Sequence, residues 1–239
     1  GLTRHGDNWF VVGDDADNHF LYRVKFSKNN RFSLQPAIDL EKLPGFASYQ
    51  KILAKVSGVD KKHRRLDLEG ITVCNDTFYL INERARHLLR IAGNKLQFLE
   101  WPQSSIMELF EGGANAGLEG IAADCRTDGL LYFAKERDPR ILLRWQIGKG
   151  QVQRLPVPKS NRIGQTVINP WNGKDLFQIS ADIGDLHFAD DHLYILERNS
   201  FEVAKRDPVT SKIVARVSFW ASAKDLYETG EPFGLAEAL

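Results

Sequence analysis

Strong charge of either sign is missing from this sequence: 32 Lys and Arg stand against 31 Asp and Glu, a formal net charge of +1. A nucleic-acid-binding domain needs a basic face, so no such partner is expected. The run Lys61-Lys62-His63-Arg64-Arg65 is short and reads as a solvated loop. Cysteine is scarce. Cys74 and Cys125 form no Cys-x-x-Cys pair, which excludes a thiolate zinc site and a disulfide-dense scaffold. They read as small buried thiols, and two thiols are compatible with any redox compartment. No stretch approaches the roughly 18 apolar residues of a membrane span. The signatures of a serine-hydrolase elbow, a phosphate-binding loop and a zincin helix are all missing. The chain opens at Gly1 without Met and without an apolar signal segment, so a targeting or anchoring segment is expected to lie outside it.

What is present is a repeat. Asp67-Leu68-Glu69-Gly70-Ile71 is followed by the apolar run Phe78-Tyr79-Leu80-Ile81 and then Glu83-Arg84. Gly117-Leu118-Glu119-Gly120-Ile121 is followed by Leu130-Leu131-Tyr132-Phe133 and Glu136-Arg137. Asp182-Ile183-Gly184-Asp185-Leu186 is followed by His192-Leu193-Tyr194-Ile195 and Glu197-Arg198. An earlier copy runs from Gly1 through Trp9-Phe10-Val11-Val12, and a further start stands at Glu231 to Ala236. The starts at Gly1, Gly70, Gly120, Asp185 and Gly234 are 69, 50, 65 and 49 residues apart. Each copy continues with two more apolar runs, for example Leu88-Leu89-Arg90-Ile91 and Leu96-Gln97-Phe98-Leu99. Four strands recurring at about 50 residues is the pattern of a propeller blade. The longer spacings hold insertions, one around Leu40 to Arg65 with a helical stretch at Tyr49 to Val56, another around Lys159 to Ser180. The fold read from this pattern is all-β: one propeller domain over 1–239, five-bladed, with four-stranded antiparallel blades. The fifth blade is incomplete at Leu239, and the natural chain is expected to continue past it.

The repeated acids carry the chemistry. Glu69 opens the first strand of its blade and Glu83 closes the second, so an antiparallel pairing brings both to one rim. The same holds for Glu119 and Glu136, and Asp14, Asp182, Asp185 and Glu197 are expected at that rim from other blades. Converging carboxylates repel unless a cation neutralises them, and calcium accepts six to eight oxygen ligands in flexible geometry. Glu69, Glu119, Glu83 and Glu136 are therefore the candidate metal ligands. The competing reading is that the acids pair with Arg84, Arg137 and Arg198 and stitch blade to blade. His187 reads as a core histidine, and the strand aromatics as inter-blade packing.

These words, together with Ala134-Lys135-Glu136-Arg137-Asp138-Pro139, resemble the SdiA-regulated family of bacterial propellers, distant relatives of NHL-repeat proteins. The resemblance implies a five-bladed, calcium-binding propeller associated with the periplasm or cell envelope, and it implies no reaction. The sequence departs from the family pattern at Gly184 and Phe233, where the acid is absent. The expected function is a calcium-dependent binding or scaffold module, monomeric, with a protein or small-molecule ligand and no catalysis. The alternative is a metal-dependent hydrolase of the propeller phytase or lactonase type, with the same acids holding the ion.

Overall fold

The computed structural model describes residues 1–13, 19–28, 31–55, 66–100, 109, 117–137, 139–157, 162–168, 176–180 and 182–219. The first blade comprises β1 (Leu2–His5), β2 (Asn8–Val11), β3 (Phe20–Phe26) and β4 (Phe32–Asp39). After it comes α1 (Phe46–Leu53), in place of the helix expected at Tyr49 to Val56. The second blade holds β5 (Leu68–Cys74), β6 (Thr77–Asn82), β7 (His87–Ala92) and β8 (Lys95–Leu99). The third holds β9 (Leu118–Asp124), β10 (Leu130–Lys135), β11 (Ile141–Gln146) and β12 (Val152–Leu155). A two-stranded sheet follows, β13 (Arg162–Ile168) with β14 (Leu176–Ser180), inside the second insertion, where no strands were expected. The fourth blade holds β15 (Ile183–Ala189), β16 (His192–Glu197), β17 (Glu202–Arg206) and β18 (Ile213–Ser218). Each blade is an antiparallel meander in sequence order. The described residues thus form a β-propeller of four complete blades; the start at 231–236 lies outside them.

The second strands explain why their sequences are continuous apolar runs rather than alternating ones. In β6, Phe78 and Leu80 pack in the cluster shared with the first blade, with Phe10 and Leu21. Tyr79 and Ile81 pack on the other face in the cluster shared with the third blade, with Ile121 and Phe133. In β10 the same alternation sends Tyr132 and Ala134 toward Leu186 and Ile195 of the fourth blade. A strand buried on both faces has no solvent side to write as polar. Aromatic pairs cross these interfaces: Phe10 meets Phe78 edge-on at 5.1 Å, and Tyr132 stacks on Phe188 at 5.6 Å.

The inner strands β1, β5, β9 and β15 stand side by side in that order. The glycine of each Glu-Gly-Ile word is dictated by that approach. A Cβ on Gly70 would lie 2.8 Å from the Glu119 carbonyl oxygen, and one on Gly120 would lie 2.8 Å from the Leu186 nitrogen. The residue before each glycine sits in a β-bulge: Glu69 between the pairs Leu68↔Asn82 and Gly70↔Ile81, Glu119 between Leu118↔Lys135 and Gly120↔Ala134. A bulge re-aims the extra side chain away from the ladder, here toward the strand's starting end.

At the opposite end of the same two inner strands, Cys74 and Cys125 are joined in a disulfide, their Cα atoms 5.4 Å apart. This corrects the reading of two separate thiols. They follow Gly70 and Gly120 by nearly equal offsets, so side-by-side strands bring them together. The bond closes a separation of 51 residues. Reduction, or Cys74→Ser with Cys125→Ser, is expected to cost about 2–4 kcal/mol and lower Tm by roughly 5–15 °C. Calorimetry with and without reductant checks this, and an unchanged Tm would show that the staple carries no stability.

His187 is also corrected: it is exposed on β15 rather than in the core. Among the described residues, no helix is long and apolar enough to cross a membrane.

Candidate metal centre

The pairing Leu68↔Asn82 closes the inner hairpin of the second blade, so Asp67, Glu69 and Glu83 emerge at one end of it. The Glu83 amide donates to the Asp67 carbonyl at 2.8 Å, which fixes the two chain segments together. One carboxylate oxygen from each of Asp67, Glu69 and Glu83 lies within 4.8 Å of the others. Asp67 and Glu83 are buried and Glu69 half-buried. Arg84 pairs with Asp67 at 2.6 Å, and Glu83 Oε1 accepts from the Gly117 amide of the third blade at 3.0 Å. That contact explains why the third copy begins with Gly117 where the second has Asp67: a Cβ there would lie 2.6 Å from Glu83 Cγ.

The third blade repeats the arrangement. The Glu136 amide donates to the Gly117 carbonyl at 3.1 Å. Its carboxylate is fully buried and paired with Arg137 at 2.8 Å and with Arg198 of the fourth blade. Glu136 Oε2 is buried with no hydrogen-bond donor among the described residues. Glu119 is 7% exposed, and no described donor pairs with it. Its nearest charges are Glu136, Glu69 and Glu83, with Arg198 opposing them.

In the fourth blade it is Arg198, not Glu197, whose amide donates to the carbonyl before the inner strand, to Asp182 at 3.2 Å. Arg198 therefore occupies the place of Glu83 and Glu136, and Glu197 occupies that of Asn82 and Lys135. The Glu197-Arg198 pair therefore stands one residue earlier in its copy than Glu83-Arg84 and Glu136-Arg137 do in theirs. Counting six residues along each second strand, as in Thr77–Asn82 and His192–Glu197, aligns it correctly. The fourth blade thus contributes a cation where the second and third contribute acids. Glu197 is buried away from the carboxylate group, between Arg140 at 3.4 Å, Arg206 at 3.2 Å and Arg216 at 3.9 Å. Asp182 pairs with Arg137 at 2.9 Å, and Asp185 is buried with its Oδ1 accepting from the Leu186 amide at 2.8 Å. Asp14 lies outside the described residues.

Of the four expected ligands, Glu69 and Glu83 share one cluster, Glu119 adjoins it, and Glu136 is held by arginines. Asp67 joins the cluster without having been singled out, although it opens the repeated word and recurs as Asp182. Burial pushes the Glu83 carboxyl up to about 7, helped by Asp67 and opposed by the Gly117 amide and two arginines. Burial likewise raises Glu136 to about 7 against the pull of Arg198 and Arg137. Glu119 is raised well above the usual carboxylate range by burial and then by its acidic neighbours. A donor set of carboxylate oxygens, without nitrogen or sulfur, suits a hard cation. Oxygens on opposite sides of one calcium ion stand about 4.6–5.2 Å apart, against about 4.2 Å for magnesium. Three oxygens within 4.8 Å of one another are compatible with either span.

A propeller whose inner hairpins carry buried carboxylates to one mouth is the class that fold and site define. The family described as SdiA-regulated matches residues 52–232, and this chain belongs to it. No curated protein matches the sequence. Among solved structures the chain is similar to YCF48 bound to D1 peptide, at 11% identity and a TM-score of 0.38, covering 91% of this chain and 66% of that one. It is similar to a chain of the Nidogen/Laminin complex at 11% identity and a TM-score of 0.29, covering 85% of this chain and 91% of that one. It is also similar to Saccharomyces cerevisiae Sqt1 at 8% identity and a TM-score of 0.45, covering 95% of this chain and 59% of that one.

Proposed function

We propose that this protein is a calcium-binding propeller acting as a binding or scaffold module of the bacterial envelope. Asp67, Glu69 and Glu83 hold the ion, and Glu119 and Glu136 complete the acidic surround. The observation that carries the reading is the meeting of three carboxylates next to a buried Glu119 whose acidic neighbours outweigh Arg198. Ionising such a group without a counter-charge is costly, and a divalent cation supplies that charge. The ring is five-bladed, one domain over 1–239, and monomeric. The disulfide supports an oxidising compartment such as the periplasm. The ligand carried by the propeller is a protein or a small molecule.

Calorimetric titration with calcium tests the reading. A hundredfold excess over Kd should add about 2.7 kcal/mol of stability, which is roughly 5–10 °C in Tm. Glu69→Gln with Glu83→Gln should abolish that shift without lowering the Tm of the calcium-free protein, because two mutually repelling charges are removed. No calcium-dependent shift in the wild type would end the proposal. Calcium-dependent turnover of phosphate esters or lactones would assign the same ion to hydrolysis instead.

A further inference from the structure

In the second, third and fourth blades the last residue of the second strand is a polar side chain held by partners around the turn after it, and each blade does this differently. In the third blade Lys135 reaches over its own turn to the carbonyl oxygens of Arg137 and Pro139. In the fourth, Glu197 is gripped by Arg140 and Arg206. In the second blade the corresponding Asn82 is secured from outside the repeat. Its Nδ2 donates to the Tyr49 hydroxyl at 2.8 Å, and Tyr49 is carried on α1. The hydroxyl oxygen also stands 3.3 Å from His87 Nδ1. With that oxygen accepting from Asn82, the hydroxyl proton is left to donate to the imidazole.

Asn82 and His87 are partners in the last rung of the β6–β7 ladder. Between them lies only the turn Glu83-Arg84-Ala85-Arg86, closed by the Arg86 amide on the Glu83 carbonyl at 3.0 Å. One hydroxyl therefore ties both feet of the turn that carries Glu83 and Arg84. Tyr49 itself is fixed: it is buried, its ring stacks on Phe98, and α1 is seated on β8 by the Leu96 amide donating to the Pro44 carbonyl at 2.9 Å.

We propose that Tyr49 is a positioning residue for the cation site, locking the turn so that Glu83 stands beside Asp67 and Glu69 and Arg84 stays on Asp67. This rests on the cation reading given under Proposed function. The insertion helix is then part of the site's support, although it contributes no ligand.

The test uses terbium as a calcium surrogate, with affinity read by titration and bound waters counted from luminescence lifetimes in H2O and D2O. Tyr49→Phe keeps the ring and removes the hydroxyl. Loss of such a ligand-orienting contact is expected to weaken binding about tenfold or more. It should also add at least one water to the ion as Glu83 drifts, a change that loss of stability alone does not produce. Asn82→Ala cuts the same lock from the other side and decides the matter if Tyr49→Phe fails to fold. Phe98→Leu, which loosens the packing around the ring and spares the hydroxyl, should lower Tm and leave affinity and water count unchanged. If the wild type binds terbium while both Tyr49→Phe and Asn82→Ala keep its affinity and hydration, Tyr49 has no positioning role and the cation reading survives. If the wild type binds neither terbium nor calcium, both fall together.

Discussion

Glu197→Ala is expected to destabilise the protein by about 3–5 kcal/mol, because it leaves Arg140 and Arg206 buried without their counter-charge. Arg140 is 1% exposed and belongs to the third blade, while Glu197 and Arg206 belong to the fourth. The interface between the two blades thus contains a charge cluster that water does not reach. Burial already disfavours the Arg140 guanidinium, and Glu197 is the first group acting against that. Urea denaturation of the single variant, together with Glu197→Leu/Arg140→Met, separates the two components of the effect. The single variant should show the full loss. The double variant should recover only the Arg140 share of it, since replacing a buried pair by apolar groups of similar volume is often neutral while Arg206 stays buried without Glu197. A loss under about 1 kcal/mol in the single variant would mean that the cluster is solvated.

The second large effect is on pH dependence. Glu83 and Glu136 are raised to about 7 in the folded protein, against an ordinary carboxyl value of 4.5. The folded state therefore holds protons that the unfolded chain has already released, and stability falls as pH rises between those limits. It is fully present below about 4.5 and lost through about 7, at roughly 3 kcal/mol for each carboxyl. Glu119 acts in the same direction. Asp124 acts in the opposite direction: Arg126 holds it below the usual range, so its contribution is lost on acidification. Calcium-free protein should accordingly be most stable in mild acid and weaken toward pH 8. Saturating calcium, which binds only the ionised carboxylates, should remove that decline. Urea midpoints measured across pH with chelator and with calcium check both curves. A calcium-free curve that rises between pH 5 and 8 would overturn the assignment, and Glu83→Gln should remove the Glu83 share of the decline and leave those of Glu136 and Glu119.

Much of this arrangement is legible along the chain because a propeller is quasi-periodic. The recurrence of Glu-Gly-Ile before a continuous apolar run requires an inner strand that nearly touches its neighbours, followed by a strand buried on both faces. Those requirements are local, so they are written into each copy, and the acidic residues at the hairpin end travel with them. The same periodicity misleads at the fourth copy. There Glu197-Arg198 has the right letters one place too early, and only the hydrogen bond from the Arg198 amide to Asp182 shows the slip.

Sequence by itself determined the sheet unit, its fourfold recurrence and the end of each hairpin at which carboxylates collect, since these follow from strand period and from where glycine must stand. Tertiary structure alone decided which charges meet. Asp67 joins Glu69 and Glu83, Glu136 goes to Arg198, Cys74 finds Cys125, and Tyr49 reaches Asn82 across 33 positions of chain. The physical reason is that such pairings depend on how neighbouring blades and an insertion helix are set against one another, and through-space distances of a few ångströms leave no period in the sequence.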